Sequence, residues 1–462
     1  MLEISPLLIL LIGIVIVVGL IIFLRLNAFF ALLTASMVVS ILAPGEFSEK
    51  ISRVAMAFGS TAGKIGIVIA LAAVIGRCLI ESGAADRIVQ WLVRLFGEKN
   101  CSISLMSSGF ILSIPVFFDT VFYLLIPLAR SMHRRTKINY VFLVLAMGIG
   151  ASITHSLVPP TPGPLIMAET LGIDLGFMIA IGLLVAIPTA ILIMIFIKHY
   201  SQRMDIPMRP IEGAEKDPAP MPENHLPGLL TSLLPIILPI LMISAHTIVS
   251  TMAKGAEITS NIKQIEEITS VLGNPNLAML VSSIIALIMF YRQRLPKMTE
   301  FGKTVESSLM SAGTIILITS AGGAFGAMLK EAQVGPAIQS IFSNGSQHLG
   351  GIGLLFMSFI IASLLKFAQG SSTVSVITTS AMIAAMMPSV DIIGFHPVYI
   401  AAVIGFGAQC GTWMNDSGFW IFAKMSGFTE VETMKIWTVT LTVMSIIGFL
   451  IALLFAIILP LV

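Results

Sequence analysis

Charge is what this 462-residue sequence has least of. Only 11% of its residues are Asp, Glu, Lys or Arg, against about 25% in a soluble domain, so most of the chain cannot form a water-facing surface. The net charge of +2 supplies no basic field for nucleic acid. Cysteine is nearly missing as well. Cys78, Cys101 and Cys410 are odd in number and far apart, which leaves neither a disulfide framework nor a Cys/His zinc site. There is no P-loop, HExxH, GxSxG or dinucleotide-binding glycine pattern, so no ATP, metal or cofactor site is expected, and no nucleophile and base pair of an enzyme.

What the chain has is hydrocarbon. Hydrophobic residues make up 56% of it and its mean hydropathy is +0.98. The apolar stretches run long instead of alternating, so the expectation is an all-α polytopic membrane protein whose spans satisfy their own backbone hydrogen bonds within the bilayer. Candidate spans cover roughly 6–24, 28–44, 62–82, 103–130, 139–160, 175–197, 229–252, 270–291, 309–330, 349–386, 397–422 and 433–459. The first follows an acidic N-terminus without a small-residue cleavage site and reads as a retained helix, not a signal peptide. A Pro- and charge-rich stretch, 201–228, divides the chain into a first transmembrane unit (1–200) and a second (229–462), and reads as a cytoplasmic linker.

The two units echo each other. Gly76 and Glu81 align with Gly326 and Glu331 at an offset of 250, FFDTV (117–121) with GSSTV (370–374) at 253, GAS (150–152) with GAQ (407–409) at 257, and Ala168 with Ala423 at 255. Ordered matches of this kind indicate a duplicated unit. The segments 103–130 and 349–386 exceed the ~20 residues of one span and are interrupted at Pro115 and Gly370, so each is expected to be a re-entrant helical hairpin. Each unit then holds about five transmembrane helices, a hairpin and a broken helix, and the odd number inverts the second unit relative to the first. Positive charge agrees: placing Arg130, Arg134, Arg135 and Lys137 in the cytoplasm puts most of the other Lys and Arg residues there too, with both termini outside. Inverted repeats with helices broken near the midplane are a plan of secondary transporters.

Each unit carries two interruptions at matching places: SIPVFFDT (113–120) and THSLVPPTPGP (154–164) in the first, FAQGSST (367–373) and GTWMNDSG (411–418) in the second. Pro, Gly, Ser and Thr also serve as kinks and packing residues in membrane helices. Their coincidence across the repeat favours one enclosed polar pocket, in which freed helix N-termini can hold an anionic group. Asp119, Asp416 and Lys366 lie within apolar segments, where each charge costs ~2.5–3.5 kcal/mol on insertion scales. Asp119 and Asp416 read as proton-exchanging carboxylates, or as anchors for hairpin-tip amides. His155 reads either as a relay or as a packing histidine, and Lys366 either as substrate-facing or as a hairpin-entrance residue. Glu81 and Glu331 read as interfacial helix ends.

THSLVPPTPGP with LGIDLG (171–176), AQGSSTV (368–374), and NDSGFW (415–420) followed by KIWTV (435–439) resemble the signatures of the gluconate permease family, from about residue 60 to the C-terminus. The resemblance implies a bacterial inner-membrane proton symporter of gluconate and related hydroxy acids, distantly similar to the ion transporter superfamily, whose hairpin tips and unwound helices form the substrate site. The family hairpin reads closer to GSAT after an arginine; here GSST follows Lys366, so the anion contact at that point is expected to differ. Carried over, the substrate-binding residues are Thr120, Thr154, Ser156, Thr161, Ser371, Ser372, Thr373, Asn415 and Ser417, the proton-coupling residues Asp119, His155 and Asp416, and Lys366 a further anion contact. The partners implied are a sugar acid, protons and the lipid bilayer, with a homodimer compatible with the architecture. The rival readings are a sodium-coupled carboxylate transporter and a permease for D-serine or another small acid.

Overall fold

The structure is a computed structural model that describes residues 5–24, 26–204, 206–209, 226–255, 260–294, 298–334, 336–337, 347–414 and 416–461. Residues 205 and 210–225 of the expected linker lie outside them. Among the described residues there is no strand.

In the first unit, α1 (Pro6–Ile22), α2 (Ala28–Leu42) and α3 (Ser52–Glu81) are followed by α4 (Ala84–Phe96). Next come a hairpin, α5 (Cys101–Leu112) and α6 (Phe118–Thr136), a broken helix, α7 (Tyr140–Leu157) and α8 (Pro162–Leu171), and α9 (Leu175–Ser201). The second unit holds α10 (Leu229–Gly255), α11 (Ser260–Leu272), α12 (Pro275–Arg294) and α13 (Met298–Glu331). Its hairpin is α14 (Gln347–Gln369) and α15 (Ser372–Met386), followed by the short α16 (Val390–Ile393) and the broken helix α17 (Val398–Gly407) and α18 (Ser417–Ser426). The short α19 (Glu430–Thr433) and one π-helical turn, Met434–Thr438, lead into α20 (Val439–Ile458). Eight described helical segments are long and apolar enough to cross a membrane. Both long segments are hairpins, as expected. The sequence reading missed α4, an amphipathic helix burying Ala84, Ala85, Ile88, Val89 and Leu92, and α11, besides the short α16 and α19.

Local chemistry sets the helix ends and repeats between the units. Gly172 and Gly427, 255 residues apart, close α8 and α18 in the left-handed conformation (φ 68° and 72°). There Ile173 N–H donates to Ala168 O at 2.8 Å and Phe428 N–H to Ala423 O at 2.9 Å, the glycine-dependent helix stop that satisfies end carbonyls. Directly after each, Asp174 caps α9 and Thr429 caps α19.

Helix α9 shows that the units are inverted. Its 27 residues extend about 40 Å, more than a ~30 Å hydrocarbon core. At its Leu175 end, Asp174 accepts from Thr247 Oγ1 at 2.7 Å, and Phe177 meets His396, ring centroids 4.7 Å apart. The backbone N–H of His396 donates to Pro460 O. At the Ser201 end, Tyr200 Oη donates to Lys435 O at 2.6 Å and Asn139 Nδ2 to Ser201 O at 3.2 Å. Arg209 pairs with both carboxylate oxygens of Glu432 at 2.6 and 2.7 Å, while Arg130 donates to the Arg209 carbonyl. The α5–α6 hairpin opens where Cys101 and Thr136 face each other, beside Asn139 and so at the Ser201 end. The α14–α15 hairpin opens where Gly351 packs on Ile393, close to His396 and so at the Leu175 end. The hairpins therefore enter from opposite ends and turn in the interior.

The first hairpin is held by backbone contact. A Cβ on Gly109 of α5 would sit 2.4 Å from the Met147 carbonyl oxygen, and one on Gly150 of α7 2.2 Å from that of Met106. Between apolar helices in lipid, such close approach replaces the hydrophobic effect as the source of association. Gly109→Ala and Gly150→Ala are each expected to destabilise by about 1–3 kcal/mol, the usual cost of overpacking, read as a lower unfolding temperature in detergent. Gly59→Ala, whose Cβ meets nothing within 4 Å, is the control; equal unfolding temperatures for all three would show that this contact does not hold the hairpin.

Candidate functional site

All four interruptions are real; the first hairpin tip is closed by backbone alone and the other three by side chains as well. At the first hairpin tip, α5 ends as Ser113 N–H donates to Gly109 O at 3.0 Å. Helix α6 starts after Phe117, which supplies no side-chain cap. At the second tip, Gly370 turns with φ 79°, and the Ser371 hydroxyl caps α15 by accepting from Val374 N–H at 3.3 Å. In the first broken helix the Thr161 hydroxyl bonds the Val158 carbonyl at 2.9 Å and lies 3.1 Å from that of His155. In the second, Asp416 caps α18 by accepting from Gly418 N–H at 2.8 Å, and Trp413 Nε1 donates to Phe367 O at 2.8 Å.

Three of these interruptions, with part of α7, enclose one cavity of about 610 Å³, within the ~300–1,000 Å³ range of small-molecule sites. Phe117, Phe118, Asp119 and Thr120 line it from the first tip, and Gly370, Ser371, Ser372 and Thr373 from the second. Ser152 and His155 face it from α7; Gln409, Asp416, Ser417 and Gly418 face it from the second break. The N-termini of α6, α15 and α18 thus converge. The first N–H groups of a helix have no intrahelical acceptor and carry partial positive charge, so the cavity presents an anion with donors from several directions. Phe118 stacks on Trp437, and Trp437 on Phe422, at centroid distances of 5.7 and 4.3 Å, giving the polar wall an aromatic backing.

Of the residues expected from sequence, Asp119, Thr120, His155, Ser371, Ser372, Thr373, Asp416 and Ser417 lie on this wall. Thr154, Ser156 and Thr161 do not. They are buried behind it: Thr154 donates to Gly150 O at 3.3 Å, and Ser156 donates to Ser152 O at 2.9 Å and accepts from Gln409 Nε2. Lys366 is fully buried behind the second tip, its ammonium donating to the Asp416 carboxylate and, at 2.9 Å, to Gly370 O. Asn415 lies outside the described residues. Sequence reasoning missed Ser152, Gln409, Ser311, Ile315, Trp437 and Leu441 as lining residues. The GAS/GAQ match at offset 257 already contained Ser152 and Gln409, related positions that meet in the cavity.

A smaller cavity of about 130 Å³ shares Phe117, Thr120 and Ser311 with the first and continues between α3 and α13 to Arg77, Ser307 and Ser308. It leads toward the Ser201 end, where α3 finishes.

Opposed hairpin tips and broken helices around an interior polar cavity define a multi-pass membrane carrier of small solutes. The chain matches the GntP family permease family over residues 5–458 and belongs to it. It is 28% identical to the gluconate permease of Bacillus subtilis over 96% of this chain and 97% of that protein. It is 30% identical to the low-affinity gluconate transporter of Escherichia coli K12, covering 92% of each. Its fold is similar to that of the Alcanivorax borkumensis YdaH transporter, with a TM-score of 0.61 at 14% identity over 94% of this chain and 98% of that one.

Thr161→Val removes the tie across the first break and strands buried carbonyls, a loss of about 1–3 kcal/mol, whereas Thr161→Ser keeps the hydroxyl. The valine variant is expected to insert at near-normal yield but lose most uptake in membrane vesicles, and the serine variant to retain it. Full uptake by the valine variant would show that the break does not depend on this tie.

Proposed function

We propose that the protein imports gluconate or a related small hydroxylated monocarboxylate across the bacterial inner membrane by proton symport. The observation that carries this reading is the convergence of three helix N-termini and the hydroxyls of Ser371, Ser372 and Thr373 on one cavity whose described lining contains no Lys or Arg. Amide dipoles and hydroxyls hold a carboxylate without a fixed cation, so the anion can leave again. The names of the relatives supply gluconate as the first substrate to test.

In this reading the substrate carboxylate lies against the starts of α6 and α15. Its hydroxyl groups face Ser152, Gln409 and Ser417, with Thr120 between the two groups of contacts. Thr154, Ser156 and Thr161 shape the wall from behind, since their hydroxyls are already committed. Asp119, Asp416 and His155 are the titratable groups on the described wall and thus the candidates for the proton. The Ser201 end gathers Arg130, Arg134, Arg135, Lys137, Lys198, Arg203, Arg209, Lys424 and Lys435, which makes it the cytoplasmic end. The small cavity toward Arg77 then leads inward, and alternate access follows from movement of the hairpin and broken-helix elements past α3 and α13.

Uptake of labelled gluconate into proteoliposomes tests this, with a panel of hydroxy acids and D-serine as competitors. Accumulation is expected to follow an inward proton gradient, to collapse with an uncoupler, and to persist when sodium is replaced by choline. Accumulation that needs sodium and ignores the uncoupler would replace proton with sodium coupling; D-serine outcompeting every hydroxy acid would overturn the substrate class.

A further inference from the structure

The two carboxylates on the cavity wall have different surroundings. Asp416 has both oxygens engaged: Oδ2 accepts from the Lys366 ammonium, and Oδ1 accepts from Gly418 N–H at 2.8 Å. Lys366 is itself fully buried and also donates to the Gly370 carbonyl at 2.9 Å. Each charge stands at the helix end whose dipole favours it, Asp416 at the N-terminus of α18 and Lys366 in the last turn of α14. The pair therefore ties the second hairpin tip to the second break. The first unit has the same tie without charge. Thr161, 255 residues before Asp416, occupies the N-cap position of α8 and fastens its break through a hydroxyl. Position 416 is a fastening position in both units.

Asp119 has no such role. It sits in the first turn of α6, lines the cavity, and has no ion-pair partner among the described residues. The charged and titratable groups around it are Asp416 across the cavity, with Lys366 behind that carboxylate offsetting its charge in part, and His155 from α7.

We propose that Lys366 and Asp416 are a permanent charge pair that positions the second hairpin tip, and that Asp119 alone carries the transported proton. The inference rests on the proton-symport reading. An O–H bond forms on the Asp119 carboxylate from the outer side and breaks toward the cytoplasm. One proton then accompanies one monoanion, and the cycle moves no net charge. Lys366 and Asp416 act as positioning residues, because breaking a buried pair by removing one partner leaves an uncompensated charge, whereas removing both does not.

The test uses the full-length protein in proteoliposomes with labelled gluconate, comparing wild type with Asp119→Asn, Lys366→Met, Asp416→Asn and the double variant Lys366→Met/Asp416→Asn. Asp119→Asn is expected to lose accumulation driven by a proton gradient, and the gluconate counterflow it retains is expected no longer to vary with pH; residual counterflow that still follows pH as in wild type would overturn the inference. Each single variant of the pair is expected to lose at least tenfold in counterflow and to unfold at lower temperature in detergent. The double variant is expected to regain both counterflow and proton-driven accumulation. A potassium diffusion potential is expected to leave the wild-type rate unchanged.

Proton-driven accumulation by Asp119→Asn would overturn the inference, as would stimulation of wild-type uptake by the potential. So would a double variant that inserts and unfolds like wild type yet cannot accumulate, since Asp416 would then carry a proton. If the double variant does not insert, the Asp119→Asn and potential arms still decide. If wild-type uptake ignores the proton gradient, the symport reading fails instead; the unfolding temperatures of the pair variants, which need no substrate, then separate that failure from failure of the charge pair.

Discussion

A helix that stops partway across a bilayer leaves its end N–H and C=O groups in a medium without water to bind them. Every such end must be closed by the protein or face a wet cavity. This chain stops four helices that way. The C-terminal ends are closed by short turns, as at Ser113 and Gly370, and by the Thr161 and Trp413 side chains. The N-terminal ends of α6, α15 and α18 face the 610 Å³ polar cavity, with one N–H of α15 and one of α18 already taken by the Ser371 hydroxyl and the Asp416 carboxylate. The need to shelter broken backbone and the ability to hold an anion have the same cause.

Duplication with inversion brings those ends together. A single hairpin entering from one membrane face would leave its tip against lipid. A second entering from the opposite face, at the other end of α9, meets it in the middle, and α7, α13 and Gln409 just beyond α17 supply the flanking walls. The backbone contact at Gly109 and Gly150 sets how close the first hairpin lies. The aromatic group of Phe118, Phe422 and Trp437 joins α6 to α18 across the two units, so the cavity depends on both.

The breaks, the hairpins and the repeat were legible in the sequence because proline, glycine and offset matches mark backbone geometry directly. Hairpin-tip residues were legible for the same reason: at a helix start every side chain is near the opening. Along α7 the sequence was less informative. His155 and Ser152 are three positions apart and share a helix face, whereas Thr154 and Ser156, on either side of His155, are rotated about 100° away and point into protein. A polar residue beside a break is therefore not necessarily at the cavity. The direction of Lys366 depends on a partner 50 residues further on, and Trp437 reaches the wall through tertiary packing that no local pattern encodes. Helix α4 was hidden by its charges, although its apolar residues keep helical spacing.

The most direct test is an electron cryo-microscopy structure of the purified protein with gluconate bound. The ligand carboxylate is expected in the 610 Å³ cavity, within hydrogen-bonding distance of first-turn amides of α6 and α15 and of the Ser371–Thr373 hydroxyls, with no lysine or arginine side chain in contact. A carboxylate bound instead to the Arg77 side chain, or ligand density in an apolar groove between α5 and α9 lined by Ile103, Met106, Ile187 and Ile191, would contradict the claim that the broken helices form the anion site.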